Sequence, residues 1–107
     1  MEQRSLVRKA ADLGAVVSCP QFGLFRGEIE NLSMQGVYVR TRNVRVCLNV
    51  PVTVTFQPEP ALPLLNCSAE GVVVHQGADG VGIRFSELDP VCRAALGNLV
   101  DRLTEAA

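Results

Sequence analysis

Two groups of residues in this chain have the types and spacing for polar recognition. Near the start, Arg4 and Arg8 stand four apart, with Lys9 directly after them. A guanidinium is planar and always charged, and its N–H fork matches phosphate or carboxylate oxygens bidentately. The second group is Asn31-Leu32-Ser33-Met34-Gln35-Gly36. Asn31 and Ser33 can bond local backbone or present donors and acceptors outward, and Gly36 permits positive φ or the close approach of another group. Each group also has a plainer reading: a solvated basic tail for the arginines, a tight hairpin connection for the hexapeptide. The chemistry is binding rather than catalysis. Ser33 has no accompanying sign of an activating base, because His75 is the one histidine and reads as a strand residue. Glu28 and Glu30 share a strand face, where like charges that close read as solvent-exposed rather than as an acid–base pair.

The elements that must position these residues read mostly as strands. Phe25, Gly27 and Ile29 alternate with Leu24, Arg26, Glu28 and Glu30 before the hexapeptide, and Val37 and Val39 alternate with Tyr38 and Arg40 after it. Period-two patterning on both sides predicts strand, turn, strand. In chain order the expected strands cover 15–19, roughly 22–30, 36–41, 51–57, 65–75 and 81–85, with Pro20 to Gly23 as a turn or bulge. Residues 42–49 are ambiguous between a short strand and an extended loop, Pro58 to Pro63 is a proline-rich surface loop, and Ala78-Asp79-Gly80 signals a hairpin. Asp89 and Pro90 fit the N-cap and first position of a helix whose apolar stripe is Leu96, Leu99, Val100 and Leu103. Six strands and one terminal helix predict a small antiparallel β-barrel, mainly β, with the C-terminal α-helix plugging it. Residues 1–13 form a polar, basic arm expected to be mobile without ligand, and 14–107 the barrel domain with its helix.

Bulk properties narrow the function classes. At 107 residues and 48% hydrophobic, the chain fits one domain with a real core. A formal net charge of −1 argues against a general nucleic-acid binder, which needs a basic field. Aromatic stacking surfaces for an oligonucleotide are thin as well: Tyr38 and four phenylalanines, several in core-like positions. The positive charge is local, with residues 1–9 summing to +2 (Arg4, Arg8 and Lys9 against Glu2) and Arg40, Arg42 and Arg45 clustered after the hexapeptide. Cys19, Cys47, Cys67 and Cys92 show no C-x-x-C spacing, which predicts reduced thiols, a cytoplasmic location and no metal site, with Cys92 as core filler. No long apolar run predicts membrane insertion.

An Arg-x-x-x-Arg arm (Arg4 and Arg8), a strand, and then Asn-x-Ser-x-x-Gly (Asn31, Ser33 and Gly36) resembles the PilZ domain family, over almost the whole chain from Arg4 to roughly Val100. The resemblance implies a six-stranded barrel with a C-terminal helix, and a ligand rather than a cofactor: the bacterial second messenger cyclic di-GMP. It further implies that Arg4 and Arg8 hold guanine and phosphate groups while Asn31 and Ser33 contact the ligand and Gly36 lets it lie close. The chemistry is consistent, since arginine pairs bidentately with guanine O6 and N7 and stacks on purines. Some family members carry a further arginine just before the arm, associated with a stacked ligand dimer; here that residue is Gln3, which leaves stoichiometry open. Lys9, Arg40, Arg42 and Arg45 could add phosphate contacts, although most of them read rather as a solvated face. The expected output is a ligand-driven clamping of the arm onto the barrel that engages a protein partner in trans, with no catalytic residues. The alternative is a ligand-independent adaptor of the same fold.

Overall fold

Each alternating run forms a strand: β1 (Gly14–Cys19), β2 (Gly23–Leu32), β3 (Gly36–Arg40), β4 (Pro51–Phe56), β5 (Cys67–Gln76) and β6 (Gly80–Glu87), followed by the helix α1 (Pro90–Ala106). The structure, a computed structural model, describes residues 13–20, 22–58 and 66–106, with side chains as far as Arg102 in the last stretch. The expected arm, Arg4 and Arg8 included, lies outside the described residues, as do most of the proline-rich loop and Leu65. All pairings are antiparallel, in the order β1-β2-β3-β6-β5-β4, and β4 pairs back onto β1 to close a barrel.

Alternation along the strands fills the interior. Val17, Ile29, Val39, Val54, Val73, Val81 and Ile83 are buried on successive strands, each such side chain contributing about 1.5–3 kcal/mol relative to exposure. Asp89 caps α1 as expected, its Oδ1 accepting the Val91 N–H at 2.9 Å. The helix buries Cys92, Leu96 and Leu99 at i, i+4 and i+7, while Val100 is half-buried. Cys92 meets Cys67 at the start of β5, and burial, helped by that thiol–thiol hydrogen bond, pushes the Cys67 thiol up to about 12.

The ambiguous 42–49 stretch is a loop. Asn43 and Asn49 take positive φ, 55° and 66°, and break any strand; Asn tolerates this region better than most residues. Gln76 holds the loop to β5: its Oε1 accepts the Val46 N–H at 2.8 Å and its Nε2 donates to the carbonyls of Val44 (3.2 Å) and Gly77 (2.9 Å).

Candidate functional site

The second motif is less of a turn than its sequence reads. Asn31 and Leu32 still belong to β2, and the connection proper is Ser33-Met34-Gln35. A β-bulge between Ile29 and Asn31 decides which way Asn31 faces. Ile29 points inward, and strict alternation would send Asn31 inward too. The extra residue, Glu30, shifts the phase, so Asn31 pairs with Tyr38 on the outer face and Leu32 returns to the core. Re-aiming a side chain in this way is a common use of bulges. The connection is tied down by three bonds: Ser33 N–H to Gly36 O (3.0 Å), Gln35 N–H to Ser33 Oγ (3.1 Å), and Phe85 N–H to Gln35 O (2.8 Å). Ser33 Oγ thus already accepts one local bond, leaving its proton and a lone pair for a ligand.

Gly36 does not use positive φ; among the described glycines only Gly23 does, at 105°. Its need is for space. A Cβ on Gly36 would collide with the carbonyl oxygen of Ile83 and lie 3.2 Å from Arg84 Cα. The backbone of β6 therefore makes a close approach at this glycine.

Together these residues border an open groove of about 210 Å³ lined by Asn31, Ser33, Gly36, Tyr38, Val74 and Gly82. Val74 reaches it through a second bulge, between Val73 and His75 of β5. Tyr38 forms one wall and is held firmly, its hydroxyl donating to Asp79 Oδ1 at 2.7 Å, with the His75 ring 6.3 Å away between centroids. Burial, then the hydrogen bond to Asp79 and its charge, with a smaller push from Glu30, raise the Tyr38 phenol to about 12, so the ring is neutral at ordinary pH.

The arginines on the outer surface are not equivalent. Arg40 is engaged with Glu28 (2.8 Å) and more loosely with Glu30 (3.9 Å). Such an exposed pair is worth ~0–1 kcal/mol, but it still compensates the charge a phosphate would need. Arg84 pairs with Gly36 across β3 and β6, is exposed, and makes no salt bridge among the described residues. Arg42 and Arg45 stand exposed on the 41–50 loop.

The structure therefore brings Asn31, Ser33 and Gly36 to one edge of a groove, whereas Arg4 and Arg8 cannot be placed in it. Their connection to it can be traced one step. Ile29 N–H donates to Leu13 O at 2.8 Å, so the chain enters the barrel alongside the β2 bulge, two residues from Asn31. Sequence reasoning passed over Tyr38 as a site residue and did not consider Arg84, Val74 or Gly82. A signal for Tyr38 was present: Gly80 and Gly82 alternate on one strand face, a gap that a neighbouring aromatic ring covers.

Comparison with known proteins points one way. The family model for the PilZ domain matches residues 2–102. No curated protein sequence matches this chain significantly. Among solved structures, the PilZ domain of CeSA from a cellulose-synthesizing bacterium is similar with a TM-score of 0.67 and 17% identity, over 87% of this chain and 93% of that one. The inhibitor of motility MotI/DgrA of Bacillus subtilis is similar with a TM-score of 0.70 and 17% identity, over 98% of this chain and 53% of that one. The chain thus spans about half the length of MotI/DgrA, and at these identities the likeness is one of fold.

Proposed function

Since the chain belongs to the PilZ domain family, we propose that it is a receptor for cyclic di-GMP, binding the dinucleotide between the arginine arm and the β2–β3 motif and signalling in trans to a protein partner. PilZ domains are binding and adaptor domains, typically for this ligand. The observation that carries the proposal is the Leu13–Ile29 hydrogen bond, which roots the arm beside Asn31. Arg8 is five residues before Leu13, and five residues span at most ~18 Å. A chain of that length allows the Arg8 guanidinium to reach the groove edge. Asn31 and Ser33 then supply neutral hydrogen-bonding groups, Arg4 and Arg8 supply charge and purine contact, and Arg84 offers a further cation.

Binding that orders the arm must draw its free energy from tighter binding to the clamped state. The clamped arm would be the surface a partner reads, in the cytoplasm where the messenger acts. No helix among the described residues is long and apolar enough to cross a membrane. The test is titration calorimetry with cyclic di-GMP on wild type, Arg8→Ala and Ser33→Ala, with GTP as control. Saturable heat from wild type, lost in Arg8→Ala, weakened in Ser33→Ala and absent with GTP, is the expected result and gives the stoichiometry. A wild type that evolves no heat refutes the receptor reading and leaves the ligand-independent adaptor.

A further inference from the structure

Tyr38 is held in one position on the outer face of the barrel by contacts from two sides. A Cβ on Gly77 would come within 2.6 Å of its hydroxyl oxygen, and one on Gly80 within 2.6 and 2.7 Å of two ring carbons. A Cβ on Gly82 would lie 3.8 Å from a ring carbon, in ordinary contact with it. Two glycines of the β5–β6 hairpin, Gly77 and Gly80, thus leave room for one aromatic side chain on the outside of the barrel, and Asp79 of the same hairpin fixes its hydroxyl. The ring is directly opposite Asn31 across β2 and β3, and cross-strand partners of this kind have Cβ atoms ~4.5–5.5 Å apart. Both line the groove that Ser33 and Gly36 border.

A rigid ring beside an amide is how proteins commonly hold a nucleobase, the ring taking its face and the amide its hydrogen-bonding edge. Aromatic stacking has low sequence selectivity by itself; the amide supplies the discrimination. The groove, open at the surface and about 210 Å³ in volume, offers that combination once. We infer that Tyr38 is the stacking surface for one guanine base of the bound dinucleotide, with Asn31 at the base edge and the Gly77 and Gly80 cradle keeping the ring in place. This rests on the receptor reading above and adds a binding residue outside its two motifs.

The experiment uses cyclic di-GMP as the probe. Calorimetric titrations compare wild type, Tyr38→Phe and Tyr38→Leu, with circular dichroism and melting curves checking the fold of each. Wild-type tyrosine emission is followed in parallel, corrected for ligand absorbance. Tyr38 is the only tyrosine and the chain has no tryptophan, so that emission comes from this ring alone. The expected result is near wild-type affinity for Tyr38→Phe, a loss of at least about fivefold for Tyr38→Leu, and saturable quenching of the wild type at the calorimetric midpoint. Folded Tyr38→Leu that binds like wild type overturns the inference and leaves the receptor reading standing. A wild type that shows neither heat nor an emission change overturns both. Should Tyr38→Leu fail to fold, the wild-type emission decides: quenching at the calorimetric midpoint supports stacking, and unchanged emission with measurable heat refutes it.

Discussion

Gly36→Ala separates a structural from a ligand-binding role within the second motif. The substitution has two opposing effects. Replacing glycine at an ordinary φ reduces the freedom of the unfolded chain and stabilises by ~0.4–1 kcal/mol. Against that, the new methyl collides with the Ile83 carbonyl oxygen and lies 3.2 Å from Arg84 Cα and 3.3 Å from the Ile83 carbonyl carbon. All three are backbone atoms of a strand paired to β3 by five register partners, so they cannot swing aside as a side chain would. Overpacking typically costs ~1–3 kcal/mol, and the absence of a flexible neighbour puts this case at the upper end. The net expectation is destabilisation of about 2 kcal/mol, a fall in melting temperature of roughly 8 °C or more for a domain of this size. Thermal and urea unfolding of wild type, Gly36→Ala and Ser33→Ala measure it, the last variant losing one exposed bond worth about 1 kcal/mol or less. A Gly36→Ala protein that melts at or above the wild-type temperature refutes the reasoning. If it melts lower, loss of ligand by this variant reports on the β3–β6 seam before it reports on any contact.

Two further outcomes follow from the hydrogen bonding around the β5–β6 hairpin. Ultraviolet titration of the lone tyrosine is expected to find its midpoint near 12 rather than 10.0; Asp79→Asn lowers the midpoint but leaves it above the ordinary value, because burial is the largest cause. Since the folded value is the higher one, this group's contribution to stability is complete below pH 10 and lost as the pH rises toward 12. A wild-type midpoint at 10 contradicts the packing of the ring. Gln76→Leu removes the acceptor of the Val46 N–H and the donor to Val44 O, at a cost of roughly 1–3 kcal/mol. Amide exchange at Val46 should accelerate well beyond that of core amides such as Val54, and unchanged protection would show that the loop is held by other means.

The strands and helix were legible because each carries a clean period: Val52, Val54 and Phe56 in β4, Asp89 and Pro90 at the helix start. The facing of Asn31 was not, because a bulge leaves only a faint mark. Ile29 and Leu32 are both buried though three apart, a break in period two that reads as the end of a strand as easily as a shift within it. The 42–49 stretch was ambiguous because Val44, Val46 and Leu48 alternate while Asn43 and Asn49 adopt a backbone conformation that residue type permits but does not demand. The pairing of Arg40 was hidden in the sequence, since its carboxylate partner Glu28 is twelve residues away and meets it only through register. Conversely, Arg84 becomes a neighbour of Gly36 through a strand order that no local pattern announces.

Closure of the barrel limits how anything can dock on it. Among the described residues every strand from β1 to β6 has a hydrogen-bonded neighbour on both sides, so none of them offers a full-length open edge to template an added strand. Recruitment by β-augmentation along a whole strand, a common and sequence-tolerant route, is disfavoured on such a scaffold. The surfaces left to a protein that associates with it are chiefly the side chains of the outer face, a loop such as 41–50, and the helix surface. Specificity would then rest on individual residues, and single substitutions should be able to uncouple association from folding.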